Sequence, residues 1–145
     1  MAEEVVAASW MGGGRMNAGD GYVNLLVWQR AMDLVDVVYD ATATWPRDEL
    51  FGLVSQTRRA AVSVPSNIAE GRGRIGPAEF VHHLSIAHGS LCEIETLLQI
   101  GHRRGYMDQT MLTTALAQSG EVRRLMVGLM RKLRSLPAKS ANAGA

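Results

Sequence analysis

With 145 residues, of which 47% are hydrophobic and 20% charged, the chain can bury one core and is too apolar to be disordered as its main state. Four prolines and 6% aromatics leave a helix-forming composition, and the single Cys92 excludes an internal disulfide framework or a cysteine-based zinc site and fits a reducing, cytoplasmic setting. The net charge of +1 identifies no partner, and no segment reaches the roughly 18 uncharged apolar residues of a membrane span, so no membrane partner is expected.

Residues 1–24 carry a Gly12-Gly13-Gly14 run and no sustained period, which predicts a flexible N-terminal arm, with Met16 an alternative start. Glu3 and Glu4 stand where a secretory signal would carry lysine or arginine. A first helix is expected over about 25–44. Leu25, Trp28, Met32, Val35, Tyr39 and Thr42 form one apolar row, and Val27, Ala31, Leu34, Val38 and Ala41 form a second beside it. A helix facing one core needs only one apolar stripe. This one is apolar over most of its circumference, which points either to a subunit interface or to a surface carrying extra valines and alanines.

Trp45-Pro46 stops that helix, and Asp48 and Glu49 favour the start of the next, expected over about 48–69. Its inner stripe reads Leu50, Leu53, Thr57, Ala60, Val64. Pro65 falls late in it and should kink it, with Ser63 and Ser66 available to freed backbone groups. Pro77 and Glu79 suit the first turn of a third helix, about 77–105, whose inner row is Phe80, Leu84, Ala87, Leu91, Ile94, Leu98, Gly101. Gly89 and Gly101 lie inside it and suggest close helix approach. A fourth helix, about 108–135, repeats the 3-4 spacing through Leu112, Ala115, Ser119, Val122, Met126, Leu129 and Leu133. Residues 137–145 read as a disordered tail. Four helices with short connections predict an all-α, up-and-down antiparallel four-helix bundle over 25–136.

No catalytic constellation accompanies this pattern, and no cofactor is implied. A dinuclear metal site in a bundle needs two Glu-x-x-His pairs, and only Glu79-x-x-His82 is present, at a helix start. His82, His83 and His88 include no i, i+4 ligand pair. Cys92, with no cation near it in sequence, reads as a buried, inert thiol. Glu93 and Glu95 flank the third helix's apolar row and suit ion pairs with arginines of a neighbouring helix or subunit.

The basic residues carry the functional hint. Thirteen of the fifteen are arginine, and Arg103, Arg104, Arg123, Arg124, Arg131, Lys132 and Arg134 crowd the last third of the chain, with Arg124 and Arg131 on one helical face. Arginine clusters bind phosphate bidentately and supply salt-dependent nucleic-acid affinity. A plain solvated face explains the same pattern, and few aromatics are free to stack on bases.

The stretch from Leu26 to Tyr106 resembles a known family. The residues that carry the likeness are Val27-Trp28 with Ala31, Trp45-Pro46 leading to Gly52-Leu53, and the run Gln56-x-Arg58-Arg59-Ala60-Ala61-Val62-Ser63-Val64-Pro65-Ser66-Asn67-Ile68-Ala69-Glu70-Gly71. Glu79-Phe80, Gly89-Ser90-Leu91, Glu95-Thr96 and Gly105-Tyr106 extend it. The likeness is to the bacterial four-helix bundle family of 23S rRNA intervening-sequence proteins, related to the accessory protein of diversity-generating retroelements. It implies a homopentameric ring, with Val27, Trp28, Ala31, Leu34 and Val38 as interface candidates. It also implies RNA or DNA binding and a protein partner such as a reverse transcriptase. Arg58, Arg59 and Glu70 are then expected in ion pairs, with Asn67 bridging helix ends and Pro65 and Gly71 shaping the second helix. The net charge of +1 departs from a strongly basic accessory protein. The expected function is non-catalytic nucleic-acid binding by an oligomer. The alternatives are a protein-interaction scaffold and a metal-dependent enzyme.

Overall fold

A computed structural model describes residues 21–137, so most of the predicted arm and all but Pro137 of the predicted tail lie outside the described residues. Four helices make up the architecture: α1 (Leu26–Thr42), α2 (Ser55–Arg72), α3 (Pro77–Arg103) and α4 (Gln109–Arg134). No strand occurs among the described residues. Adjacent helices pack pairwise, and α4 returns against α1 to close the bundle.

Hydrogen bonds fix the antiparallel sense. Between α2 and α3, Gln56 reaches Glu93 (3.4 Å), the Ser63 and Ser90 hydroxyls lie 2.6 Å apart, and Asn67 meets His83 (3.4 Å), so one number rises as the other falls. Ser119 and Arg123 of α4 bond to Glu95 of α3, and Arg30 of α1 bonds to Glu121 of α4.

The inner rows of α3 and α4 are those that the spacing predicts, from Phe80 to Gly101 and from Leu112 to Leu133. On α1 the core takes the row Val27, Ala31, Leu34, Val38, Ala41, each at most 3% exposed, while of the row beside it only the two ends, Leu25 and Thr42, are buried. Four of the five interface candidates, Val27, Ala31, Leu34 and Val38, therefore line the subunit's own core. Trp28 alone is partly open. The reason is register: the rows lie side by side on one helix, and only one can face inward.

The chain between α1 and α2 departs most from expectation. Arg47–Glu49 form a 3-10 turn, and Leu50–Val54 a π-helical turn in which Gly52 leaves the helical region (φ −109°, ψ −107°). The Glu49 carboxylate accepts the Leu53 N–H at 3.1 Å and holds this irregular entry. Regular helix begins at Ser55 instead of Asp48, whereas α2 runs uninterrupted through Pro65. Ser63 donates to the Ala60 carbonyl, Ser66 to Val62 and Asn67 to Ser63, so side chains serve the carbonyls around the proline.

Two glycines are set by contact. A Cβ on Gly101 would lie 2.5 Å from Trp45 Cη2 and Cζ2, so the indole packs flat on bare backbone, with Tyr106 tilted against it at 5.8 Å. A Cβ on Gly71 would meet His83 Cβ at 2.6 Å and Phe80 Cδ2 at 2.9 Å, which brings the end of α2 onto α3. Gly89, expected to permit close approach, has nothing within 4 Å of a built Cβ.

Gly101→Ala is expected to cost about 1–3 kcal/mol by overpacking against Trp45, whereas Gly89→Ala should stabilise by about 0.5–1 kcal/mol through helix propensity. Urea unfolding of the two variants checks the contrast in sign.

Candidate functional site

The seven basic candidates do not form one patch. Arg103 and Arg104 sit where α3 gives way to α4, and Arg131, Lys132 and Arg134 sit at the far end of α4. About 35 Å of helix separates the two groups. The first pair shares its end of the bundle with Asp40, Asp48, Glu49 and Asp108, which lie at the neighbouring helix ends. After Glu121, α4 carries no acid at all.

Arg123 is committed elsewhere. Its guanidinium donates to Glu95 Oε1 at 2.6 Å, and the Ser119 hydroxyl donates to the same oxygen at 2.9 Å. The Arg123 pKa is raised above the ordinary arginine value, first by this hydrogen bond, with burial opposing and the charge of Glu95 adding. Its stabilising contribution is therefore present at neutral pH and is lost as pH rises through the arginine range. Arg124, Arg131 and Arg134 are exposed and form no ion pair with a carboxylate among the described residues. Lys132 is half-buried and has an interaction of its own.

The expected ion pairs form only in part. Glu95 pairs with Arg123, but Glu93 is exposed and meets only Gln56. Arg58 has no carboxylate: its Nε donates to Thr42 Oγ1 at 2.9 Å and its guanidinium lies 4.6 Å from the Tyr39 ring centroid, a cation–π contact. Arg59 is exposed and lines a surface groove together with Arg58 and Tyr39. Glu70 pairs with Arg74 at 3.1 Å and approaches His83 at 4.0 Å, while Asn67 joins its own helix to His83. Cys92 is exposed, not buried as the sequence suggests, and Arg123 lies close enough for Cys92 to favour its charged form. The arginine is 31 positions away in sequence, so inspection of the cysteine's chain neighbours misses it.

A second surface emerges on the opposite side of the bundle. Here α1 turns out the row Trp28, Met32, Val35, Tyr39, and α2 adds Val62. Two adjoining grooves run along it, one of about 580 Å³ lined by Tyr39, Leu50, Phe51, Arg58 and Val62, the other of about 520 Å³ lined by Tyr22, Trp28, Met32, Pro65 and Ala69. Phe51 is 92% exposed, raised on the π-helical turn. Tyr22, placed in the predicted arm, sits instead in a 3-10 turn with its ring tilted against Trp28, centroids 5.3 Å apart. Sequence reasoning missed Tyr22, Phe51 and Val62 as members of this face; the signal for Phe51 was an aromatic next to glycine just after a proline stop.

Among the described residues no three His, Cys, Asp or Glu side chains converge on a point a metal ion could occupy, and Glu79 and His82 are both exposed. No described helix is long and apolar enough to cross a membrane.

The family model described as "23S rRNA-intervening sequence protein" matches residues 23–128. None of the curated proteins matches the chain. Among solved structures, a protein of unknown function from the S23 ribosomal protein family of Bacteroides thetaiotaomicron is similar. It shares 20% sequence identity, covers 73% of this chain and 99% of its own, and superposes with a TM-score of 0.66, a likeness of fold.

Removing the Glu95 carboxylate leaves two donors on the α3–α4 seam unsatisfied. Glu95→Ala is expected to cost about 1–3 kcal/mol, whereas Arg30→Ala, which breaks the half-exposed pair with Glu121, should stay within about 0.5 kcal/mol. Chemical denaturation of both variants measures the difference.

Proposed function

The chain belongs to the 23S rRNA-intervening sequence protein family, and on that premise we propose that it is a non-catalytic, self-assembling helical bundle that binds the phosphate backbone of RNA or DNA. The observation that carries this reading is the set of exposed guanidiniums on α4. Arg124, Arg131 and Arg134 form no carboxylate ion pair among the described residues, while Arg30, Arg74 and Arg123 each have one. Unpaired arginine forks on a rigid helix suit phosphate contact, which confers affinity without base readout. The scarcity of free aromatics beside them favours backbone over stacked single-strand recognition.

Self-assembly is supported by the α1–α2 face. Tyr22, Met32, Tyr39, Leu50, Phe51 and Val62 are each more than 40% exposed on one side of the molecule, more than the scattered apolar residues of a monomer's surface. Phe51 projects, while the groove beside Trp28 and Met32 is recessed. A contact between two unlike patches is heterologous and builds a ring where the rotation between copies closes. Five copies is the number the family resemblance implies. The same face favours a second reading, a scaffold for a different protein partner with no nucleic-acid role.

Binding to RNA is expected to weaken linearly in log–log form with salt, with a slope of about −0.7 to −0.9 per phosphate neutralised. Fluorescence anisotropy over a salt series tests this, and absence of binding at low salt sinks the nucleic-acid reading in favour of the scaffold. Phe51→Asp is expected to convert the assembly to monomers in light scattering without loss of helicity. A native chain that is monomeric at every concentration overturns self-assembly.

A further inference from the structure

The acid-free end of the α3–α4 seam contains a groove of about 310 Å³ lined by Ser85, His88, Val127, Met130, Arg131 and Arg134. At 3.6 residues per turn, Ser85, His88, Cys92 and Glu95 fall on one stripe of α3, and Arg123, Val127, Met130 and Arg134 on the stripe of α4 that faces it. The seam changes character along its length. At its middle, Glu95 and Arg123 neutralise one another. Toward the end of α4 there is no acid on either wall: none lies between Glu79 and Glu93 on α3, and none after Glu121 on α4.

We propose that this groove is a discrete phosphate-binding subsite, one that rests on the nucleic-acid reading and gives it a location. Arg131 and Arg134, nearly one turn apart, present two planar forks from one wall. The Ser85 hydroxyl and His88 imidazole are donors on the other. Met130, 8% exposed, and Val127 lend the groove apolar surface, which strengthens the charge-assisted bonds above it. A tetrahedral phosphate has acceptor oxygens for both walls at once, whereas a planar carboxylate satisfies one fork.

A simpler account of these arginines is that cations at a helix C-terminus offset its dipole. Arg103 and Arg104 hold the same position on α3, outside this groove, and so serve as the internal control. The test uses the full chain and one RNA sequence made with a 5′-phosphate and with a 5′-hydroxyl. R131A/R134A is expected to weaken binding about tenfold or more, and R103A/R104A about threefold or less. H88Q should add a loss of about threefold. A loss confined to the 5′-phosphorylated strand assigns the subsite to a terminal phosphate, and an equal loss on both strands to an internal phosphodiester; either supports it. Equal losses from the two double variants overturn the subsite while leaving backbone binding intact. If the native chain binds no RNA at low salt, the wider reading fails, and inorganic phosphate then decides the subsite alone. A shift of the His88 imidazole resonances that R131A/R134A abolishes supports it, and no shift overturns it.

Discussion

The inward row of α1 is built mainly of small side chains, Val27, Ala31, Leu34, Val38 and Ala41, and this sets how the rest of the subunit is arranged. Small residues suit a close approach of α1 to its neighbours, and the core around Phe80, Leu84, Leu91, Ile94, Met126 and Leu129 takes Trp28 and Val35 only at its margin. Trp28, Met32, Val35 and Tyr39 are left on the outer side. Once the core is complete at this width, it cannot take a second row from the same helix. The apolar outer face is therefore a consequence of core packing, and its contiguity with Phe51 and Val62 makes it a surface that water alone covers poorly.

The same closeness governs the ends. Trp45 leaves α1 and lays its indole on the backbone at Gly101, which ties the end of the first helix to the end of the third. At the other end Gly71 lets α2 meet Phe80 and His83. Contacts of this kind define which helix ends lie together, and so which charges do. Asp40, Asp48, Glu49 and Asp108 gather at the end that carries Arg103 and Arg104; Arg131 and Arg134 lie at the other. A chain of net charge +1 thereby acquires one end where acids and arginines mix and a last stretch of α4, beyond Glu121, that carries bases and no acid.

The ion pair Glu95–Arg123 divides these regimes along the α3–α4 seam. It is more buried than the pairs of Arg30 and Arg74, and it consumes a cation that the sequence alone counts toward a binding surface. Family membership and the likeness of fold to the Bacteroides protein place this bundle among proteins of one architecture, and the arginines that remain unpaired are the features of the surface with chemistry to offer.

The helices, their antiparallel order and the inner rows of α3 and α4 were legible in the sequence, because periodicity reports which side of a helix avoids water. Pro46, Pro77 and Glu79 marked helix boundaries for local reasons that need no tertiary context. The central run from Gln56 to Gly71 carried the family. Only the folded molecule decided which of two apolar rows on α1 turned inward, since both have helical spacing and the choice depends on the volume left by the other three helices. It likewise decided that Gly52 opens a π-helical turn, that Arg58 lies on Tyr39 instead of pairing with a carboxylate, and that Arg123 approaches Cys92 and Glu95. Periodicity is a property of one segment, whereas burial, charge pairing and the separation of arginines between two ends depend on distances between segments, and those are set by how closely the helices pack.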